Sequence, residues 1–228
     1  MEEIREALST HWESPWEMDR WQVINHIIDR YSFERYLEIG VSNPRWCYNM
    51  ISCREKDGVD PGYEFQPNIA NYQMTSDEFF ESIPSDKKWD VIFIDGSHVA
   101  GQVIKDFFNA LNHLSDNGFI ILHDCNPPNV WRQRETYMID GRPWPWNGTV
   151  WKMFYYLRMT HTDLSMCCLD TDYGVGIVRR GSQMLAPADN IFYDYNQFDK
   201  NRKEYLNLIQ PSELDRWLSE NEQHLTII

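Results

Sequence analysis

The stretch DVIFIDGSH, residues 90–98, decides the fold of this chain of 228 residues. Its apolar run from Val91 to Ile94 shows no alternation with polar residues, which is typical of a parallel strand covered by helices on both faces. An acid, a glycine and a histidine follow the run at once. Because ligands of open α/β sheets bind beyond the carboxyl ends of the strands, Asp95 and His98 are predicted to lie at a site.

Outward from this strand, the pattern repeats on both sides. After it in the sequence, apolar residues recur at helical spacing from Val99 to Leu114. A second apolar strand, residues 119–122, then ends in His123 and Asp124. Before it come two short strands, residues 35–39 stopped by Gly40 and residues 57–60 closed by Pro61. Alternating strands and helices of this kind predict right-handed crossovers and a doubly wound α/β sheet.

Further elements are predicted around this core. A helix spans residues 19–31 with Asp19 as its cap, and Asn43-Pro44 predicts the start of another. Thr75 and Glu78 have capping-box spacing. A helix over 149–158 and a strand pair, 164–169 and 174–180, follow, and the tail from Asp199 is predicted to be helical, with Pro211 starting the last helix.

Residues 125–147 interrupt the rhythm with four prolines and with Trp131, Trp144 and Trp146. Loops this long inside a compact domain are commonly functional. Flat aromatic faces suit sugar rings or aromatic acceptors, so this inserted Trp-rich loop is predicted to be a lid or an acceptor wall. The alternative is that Trp144, Trp146 and Trp151 pack on Phe154 in the core or at a subunit contact.

Composition and net charge limit the binding partners, the location and the cysteine chemistry that are expected of this protein. The formal net charge of −14 would repel polyanions, so neither a nucleic acid nor an anionic membrane is expected as a partner. No apolar run approaches the roughly 18 residues of a membrane span, and the acidic N-terminus resembles no targeting signal, so a cytoplasmic location is expected. The five cysteines form no CxxC pair, which favours reduced thiols over disulfides or a zinc site.

Four acids end strands or lie beside their ends: Glu38, Asp60, Asp95 and Asp124. Asp60 lies 20 residues beyond Gly40, the spacing at which an acid reaches ribose hydroxyls in dinucleotide folds. However, the loop after the first strand has one glycine and an acid beside it, whereas a pyrophosphate requires a glycine-rich turn free of negative charge. Glu38 would attract an ammonium group. The loop therefore favours S-adenosylmethionine, which has an ammonium, a sulfonium and no phosphate.

These segments resemble the class I S-adenosylmethionine-dependent methyltransferases. YLEIG, GVDP, MTSDEFF, DVIFIDGSH and GFIILHDCNPP occur in the expected order over roughly residues 33–180, and the closest likeness is to small-molecule enzymes that modify sugars and antibiotics. The resemblance implies a Rossmann-like, mostly parallel seven-stranded sheet with a C-terminal antiparallel strand pair. It also implies a single domain, 1–228, with an N-terminal helical cap (1–32), a cofactor-binding core (33–181) and a helical C-terminal extension (182–228).

By this resemblance, Glu38 and Gly40 would hold the methionine end of the cofactor and Asp60 its ribose. Ser76 and Asp77 would lie beside the adenine, although both could instead only cap a helix. Ser42 and Asp95 complete the predicted cofactor-binding set. Ser42 and Pro44 stand where many relatives have further glycines, which changes the expected path of the loop.

The chemistry predicted for this site is methyl transfer to a small molecule, at oxygen, with a sugar hydroxyl as one acceptor. An alcohol must lose its proton, so His98 or His123 is the candidate base, and Asp124 would orient the acceptor. No metal is assigned; if a Mg²⁺ ion is present, Asp95 and Asp124 would hold it, and Cys125 occupies the place where several relatives have a second acid.

Two other functions stay open at this point. A non-catalytic protein that binds S-adenosylmethionine or S-adenosylhomocysteine would share Glu38 and Asp60 but would not depend on His98 or Asp124. A nicotinamide-dependent oxidoreductase would use the same spacing of Gly40 and Asp60. The acceptor and any assembly into a homo-oligomer are left undetermined by the sequence.

Overall fold

The computed structural model describes residues 16–222. The helices are α1 (Arg20–Tyr31), α2 (Ser76–Ser82), α3 (Ala100–Asn112), α4 (Val150–Thr160), α5 (Tyr195–Tyr205) and α6 (Leu214–Glu222). The strands are β1 (Arg35–Ile39), β2 (Glu55–Val59), β3 (Trp89–Ile94), β4 (Leu114–Leu122), β5 (Met138–Ile139), β6 (Arg142–Pro143), β7 (Leu164–Leu169), β8 (Val175–Arg180) and β9 (Leu208–Ile209). Short 3₁₀ turns occupy Tyr48–Met50 and Pro211–Glu213. No helix among the described residues is long and apolar enough to cross a membrane.

Seven strands form one sheet in the order β2-β1-β3-β4-β8-β7-β9. β1 pairs in parallel with β2 and β3, and β3 pairs in parallel with β4. β8 runs antiparallel to both β4 and β7. The predicted doubly wound, mostly parallel seven-stranded sheet with a C-terminal antiparallel pair is therefore confirmed. The chain leaves β1 toward β2 and then returns to β3 on the other side, so the strand order reverses between β1 and β3.

Two apolar clusters cover the two faces of the sheet, which explains why β3 has no alternating pattern. Side chains of α2, α3, α4 and α5 fill one cluster, with Phe79, Phe107 and Phe154 fully buried. Side chains of α1 and α6 fill the other, including Ile24 and Leu218. Each such side chain contributes about 1.5–3 kcal/mol when it is removed from water. The tertiary packing thus holds the carboxyl ends of β1, β3 and β4 at one edge.

The elements predicted from local patterns mostly form as expected. Asp19 caps α1, and its backbone N–H donates to the Gln22 side chain at 2.8 Å. Thr75 and Glu78 form the predicted capping box, in which the Glu78 N–H donates to Thr75 Oγ1 at 3.3 Å. The inserted loop contains the small β5–β6 hairpin, which the sequence did not predict.

The prediction that a helix begins at Asn43-Pro44 is wrong. The segment forms turns that end in the 3₁₀ turn Tyr48–Met50. Cys47 has φ −146° and ψ −64°, outside the helical region, because its side chain and that of Tyr48 turn inward to become buried. Burial of two side chains overrides the local capping signal here.

Candidate active site

A cavity of about 520 Å³ opens where the strand order reverses, at the carboxyl ends of β1, β2 and β3. Gly40 and Ser42 after β1, Asp60 after β2 and Asp95 after β3 all line it. Its volume lies within the range of roughly 300–1,000 Å³ that small-molecule pockets occupy. Four of the residues predicted from strand ends therefore meet at one cavity.

Gly40 is required by the close approach of two loops. Its φ is +90°, and a Cβ atom at this position would lie 2.4 Å from both the Asp95 carbonyl oxygen and the Gly96 Cα. No side chain fits at that distance, and few residues other than glycine adopt this backbone conformation. The absence of a side chain lets the loops after β1 and β3 touch at the floor of the cavity.

Asp60 is fixed by the backbone on both sides. One carboxylate oxygen accepts from the Ser42 N–H at 2.7 Å, and the other accepts from the Gly62 N–H at 2.6 Å. Ser42 itself has a positive φ of 41°, so the loop bends around the carboxylate. Each oxygen keeps a further lone pair, so Asp60 remains able to accept hydrogen bonds from hydroxyl groups in the cavity.

Ser76 and Asp77 both line the cavity and are joined by Gln102 of α3. The Gln102 amide nitrogen lies 3.3 Å from Ser76 Oγ, 2.9 Å from Asp77 Oδ1 and 3.1 Å from Asp106 Oδ1. Burial raises the pKa of Asp106, which also lines the cavity. The sequence missed Gln102 and Asp106 because they lie inside an amphipathic helix, where polar residues usually face solvent.

Glu38 lies beneath the cavity and is not part of its surface. Its side chain is almost completely buried and accepts a 2.5 Å hydrogen bond from the Tyr36 hydroxyl. Burial raises the pKa of Glu38 to about 8, against the opposing effect of that hydrogen bond. Glu38 has no surface for direct contact with a cofactor, and its predicted role at the methionine end would need a bridging water.

Beside the cavity lies a buried group that we name the carboxylate–histidine cluster: Arg20, Asp95, His98, His123, Asp124 and Asp172. Arg20 donates to Asp95 and to Asp172, both at 2.8 Å. His98 Nδ1 lies 3.0 Å from Asp124 Oδ2, and its Nε2 lies 3.4 Å from Asp95 Oδ1. His123 Nε2 donates to the Asp172 carbonyl oxygen at 2.8 Å. Two predicted histidines and two predicted acids thus share one polar core.

The charges of this cluster balance only when both histidines are protonated. Burial alone would lower the pKa of His98, but the Asp124 and Asp95 carboxylates raise it to about 10. Burial and Arg20 lower the pKa of His123, yet Asp124 and Asp95 raise it overall. Three carboxylates are then offset by Arg20 and two imidazolium rings. A protonated imidazole cannot accept a proton, so the base role predicted for His98 or His123 would first require the loss of that proton.

A divalent cation would restore the same balance with neutral histidines. Ligand atoms of Asp95, His98 and Asp124 lie within 4.8 Å of one another. His98 Nδ1 is buried and, in the described part of the chain, makes no hydrogen bond despite its nearness to Asp124. One nitrogen and two carboxylate donors suit a transition metal such as Mn²⁺ better than Mg²⁺, which prefers oxygen ligands. The side chains therefore fit a divalent ion.

The Trp-rich loop reaches the site through Trp146. Its ring stacks on His98 with centroids 4.6 Å apart and an interplanar angle of 15°. Trp146 and Tyr137 line the cavity, whereas Trp131 and Trp144 are largely exposed. Trp151 belongs to the core and packs on Phe198 at 4.2 Å. The tryptophans of this region therefore divide between the cavity wall, the surface and the core.

Two charged members of the cluster, Arg20 and Asp172, were missed by sequence reasoning. Arg20 lies in the first turn of α1 and not at the end of a strand, where the predicted site residues lie. Asp172 lies in the turn between β7 and β8, which points toward the same edge of the sheet. The DTDY turn could have marked Asp172 as a site residue. β7 runs in the same direction as β4, so the turn that follows β7 lies at the same edge of the sheet. Nothing in the sequence alone marked Arg20.

One protein family and several solved structures are similar to this chain. Residues 35–125 match the protein family described as a methyltransferase domain. A putative caffeoyl-CoA O-methyltransferase from Staphylococcus aureus is similar in structure, with 18% identity over 78% of this chain and 91% of that chain, at a TM-score of 0.49. The O-methyltransferase from Bacillus cereus in complex with SAH shows 15% identity over 78% of this chain and 89% of its own, at a TM-score of 0.47. No match is found among curated proteins.

The family match begins at the first residue of β1 and ends just after Asp124, so it contains the switch point and most of the cavity. Together with the strand order, it confirms the resemblance inferred from the sequence motifs. Residues 35–125, the core of this chain, are therefore a methyltransferase domain.

Proposed function

We propose that the chain transfers a methyl group from S-adenosylmethionine to a hydroxyl oxygen of a small ring-bearing molecule. The observation that carries the proposal is the position of the cavity, which ends against Asp95 of the carboxylate–histidine cluster. A cofactor held by the first loop would direct its methyl group toward that cluster. Alignment of donor and acceptor can supply much of the rate of such a reaction.

The charge of the cavity supports a cationic, phosphate-free cofactor. Five acids line it, Asp60, Glu64, Asp77, Asp95 and Asp106, and no lysine or arginine is among the described residues of its wall. A pyrophosphate would meet only repulsion there, whereas a sulfonium and an ammonium would be attracted. In this proposal Asp60 accepts from the ribose hydroxyls, and Ser76 and Asp77 lie beside the adenine.

The acceptor in this proposal is an alcohol placed in the cavity beside Trp146, where the wall reaches Asp95 of the carboxylate–histidine cluster. Trp146 and Tyr137 offer flat faces for a sugar or another ring. A divalent cation held by Asp95, His98 and Asp124 would lower the pKa of the bound hydroxyl. As a ligand of that cation, His98 would carry its proton on the other ring nitrogen, so the proton of the hydroxyl would pass to water rather than to His98. Asp124 would orient the ring beside it. His123, held by the Asp172 carbonyl, would keep Asp95 and Asp124 in place.

Calorimetric titration with S-adenosylmethionine, S-adenosylhomocysteine and NAD tests the cofactor. We expect saturable binding of the first two and none of NAD. Asp60→Ala should weaken S-adenosylmethionine binding more than tenfold, because both ribose hydroxyls lose their acceptor. Asp86→Ala, which removes an exposed acid far from the cavity, is the matched control. Equal affinity in the Asp60 variant would contradict the ribose assignment.

Turnover separates an enzyme from a protein that only binds the cofactor. Asp124→Asn and His98→Gln should each reduce methyl transfer to a panel of sugars and phenols by at least a hundredfold while S-adenosylhomocysteine binding persists. Removal of divalent ions with EDTA should also stop the reaction, and Mn²⁺ should restore it. Full turnover by both variants would show that the carboxylate–histidine cluster has no catalytic role.

A further inference from the structure

A second cavity, of about 360 Å³, shares no lining residue with the first. It is bounded by the last turn of α4, the start of β7, the segment after β8, the short β9 and one side of α6. Nothing in the methyltransferase reaction uses it. Its wall contains Arg158, whose surroundings differ from those of most buried arginines.

Arg158 is buried with only neutral partners. The residue is 7% exposed. Its Nη1 donates to the Gln183 side chain and to the Met184 carbonyl oxygen, the latter at 3.1 Å. Its Nε has no hydrogen-bond partner within residues 16–222, and no carboxylate in that range lies within ion-pair distance. Burial lowers the pKa of Arg158, but a guanidinium remains charged at neutral pH.

The other charged groups in the cavity wall pair with one another and not with Arg158. Glu213 and Glu220 also line the cavity, but both face Arg216, at 2.5 Å and 4.0 Å. The carbonyls of Leu157 and His161, at the end of α4, accept from Gln183 instead, at 3.5 Å and 2.7 Å. An uncompensated buried charge is expensive, so proteins normally pair such a group.

We propose that this cavity binds a small organic oxyanion, a carboxylate or a phosphate ester, whose charge pairs with Arg158. The planar guanidinium offers unpaired N–H donors that match such groups. Met166, Ile209 and Trp217 supply apolar wall on the remaining sides, which suits an anion with a hydrocarbon or aromatic body. The volume admits a ligand about the size of a substituted benzene ring.

This anion site is separate from the methyltransferase site but shares a helix with it. Thr149, the N-cap of α4, donates from its backbone N–H to the His98 carbonyl oxygen at 2.7 Å. Arg158 lies nine residues further along, about 14 Å at the helical rise of 1.5 Å per residue. Anion binding at this cavity does not require methyl transfer, so it can be tested separately.

The test is calorimetric titration of the full chain with phenyl phosphate, benzoate and inorganic phosphate at constant ionic strength. Benzyl alcohol is the neutral control. We expect saturable binding of at least one aromatic anion and none of benzyl alcohol, and the tighter of the two anions identifies the phosphate or carboxylate preference. Arg158→Gln should weaken that binding at least tenfold, whereas Arg54→Gln, which changes an exposed arginine elsewhere, should leave it unchanged.

A measurement on the unmodified chain covers the case in which Arg158→Gln does not fold. The Arg158 side-chain Nε–H resonance, assigned by its loss in Arg158→Lys, should shift on titration with the tighter anion. Binding of benzyl alcohol as tight as that of benzoate would overturn the proposal. So would the absence of saturable anion binding, equal affinity in folded Arg158→Gln, or an unmoved Nε–H resonance.

Discussion

Protonation of His98 should make the stability of the metal-free protein depend on pH in one direction. The folded-state pKa of His98, about 10, lies above its ordinary value of 6.5. A group with a raised pKa contributes stability that is fully present below pH 6.5 and is lost as the pH rises toward 10. The side chain is 18% exposed, so solvent screens the interaction only in part.

The size of the effect follows from that shift. A difference of 3.5 pKa units corresponds to about 5 kcal/mol at 1.36 kcal/mol per unit. Between pH 6.5 and 10 the free energy of unfolding should therefore fall by about 1.4 kcal/mol per pH unit through His98 alone. His123, whose pKa is also raised, adds a loss in the same direction.

Urea denaturation at half-unit steps from pH 6 to 10.5, in EDTA, measures this dependence. His98→Gln removes the titrating group, so the difference in unfolding free energy between wild type and variant should shrink by several kcal/mol as the pH rises. His26→Gln, on the surface of α1 and outside the cluster, should follow the wild-type curve. Parallel curves for wild type and His98→Gln would refute the view that buried carboxylates hold His98 protonated.

Three further substitutions test the site. Gly40→Ala should destabilise the fold by about 2 kcal/mol or more and abolish cofactor binding, because the new Cβ would clash with the Asp95 carbonyl at 2.4 Å; a urea melt that matches wild type would contradict this. Arg20→Gln should lower the unfolding free energy by about 3 kcal/mol, and a double-mutant cycle with Asp172→Asn should show coupling rather than additivity. Trp146→Ala should raise the KM for the acceptor while cofactor affinity changes less than twofold, and the opposite pattern in steady-state kinetics would move Trp146 to the cofactor side.

The parts of this molecule that follow from local rules were predictable. Val91 to Ile94 lack alternation because both faces of β3 are covered, and Asp60 and Asp95 were found because parallel strands end at a common edge. Thr75 formed its capping box because that signal needs only four consecutive residues.

What could not be predicted depends on contacts between distant segments. Arg20 meets Asp172 across 152 positions of sequence, and no spacing rule relates them. The helix expected at Pro44 failed because Cys47 turns inward to the core, which only the assembled sheet dictates. The burial of Glu38 beneath the cavity likewise depends on the elements packed over the sheet, which the spacing of residues in β1 does not show.

The salt bridge from Arg20 to Asp95 has a consequence for how this enzyme is assembled. The stretch shared with the methyltransferase family starts at residue 35, after α1 has ended. A chain trimmed to that stretch would keep its donor-binding loop and yet leave Asp95 without its guanidinium partner. The segment that matches the family and the segment that builds the carboxylate–histidine cluster therefore have different limits, because the cluster includes a residue of α1.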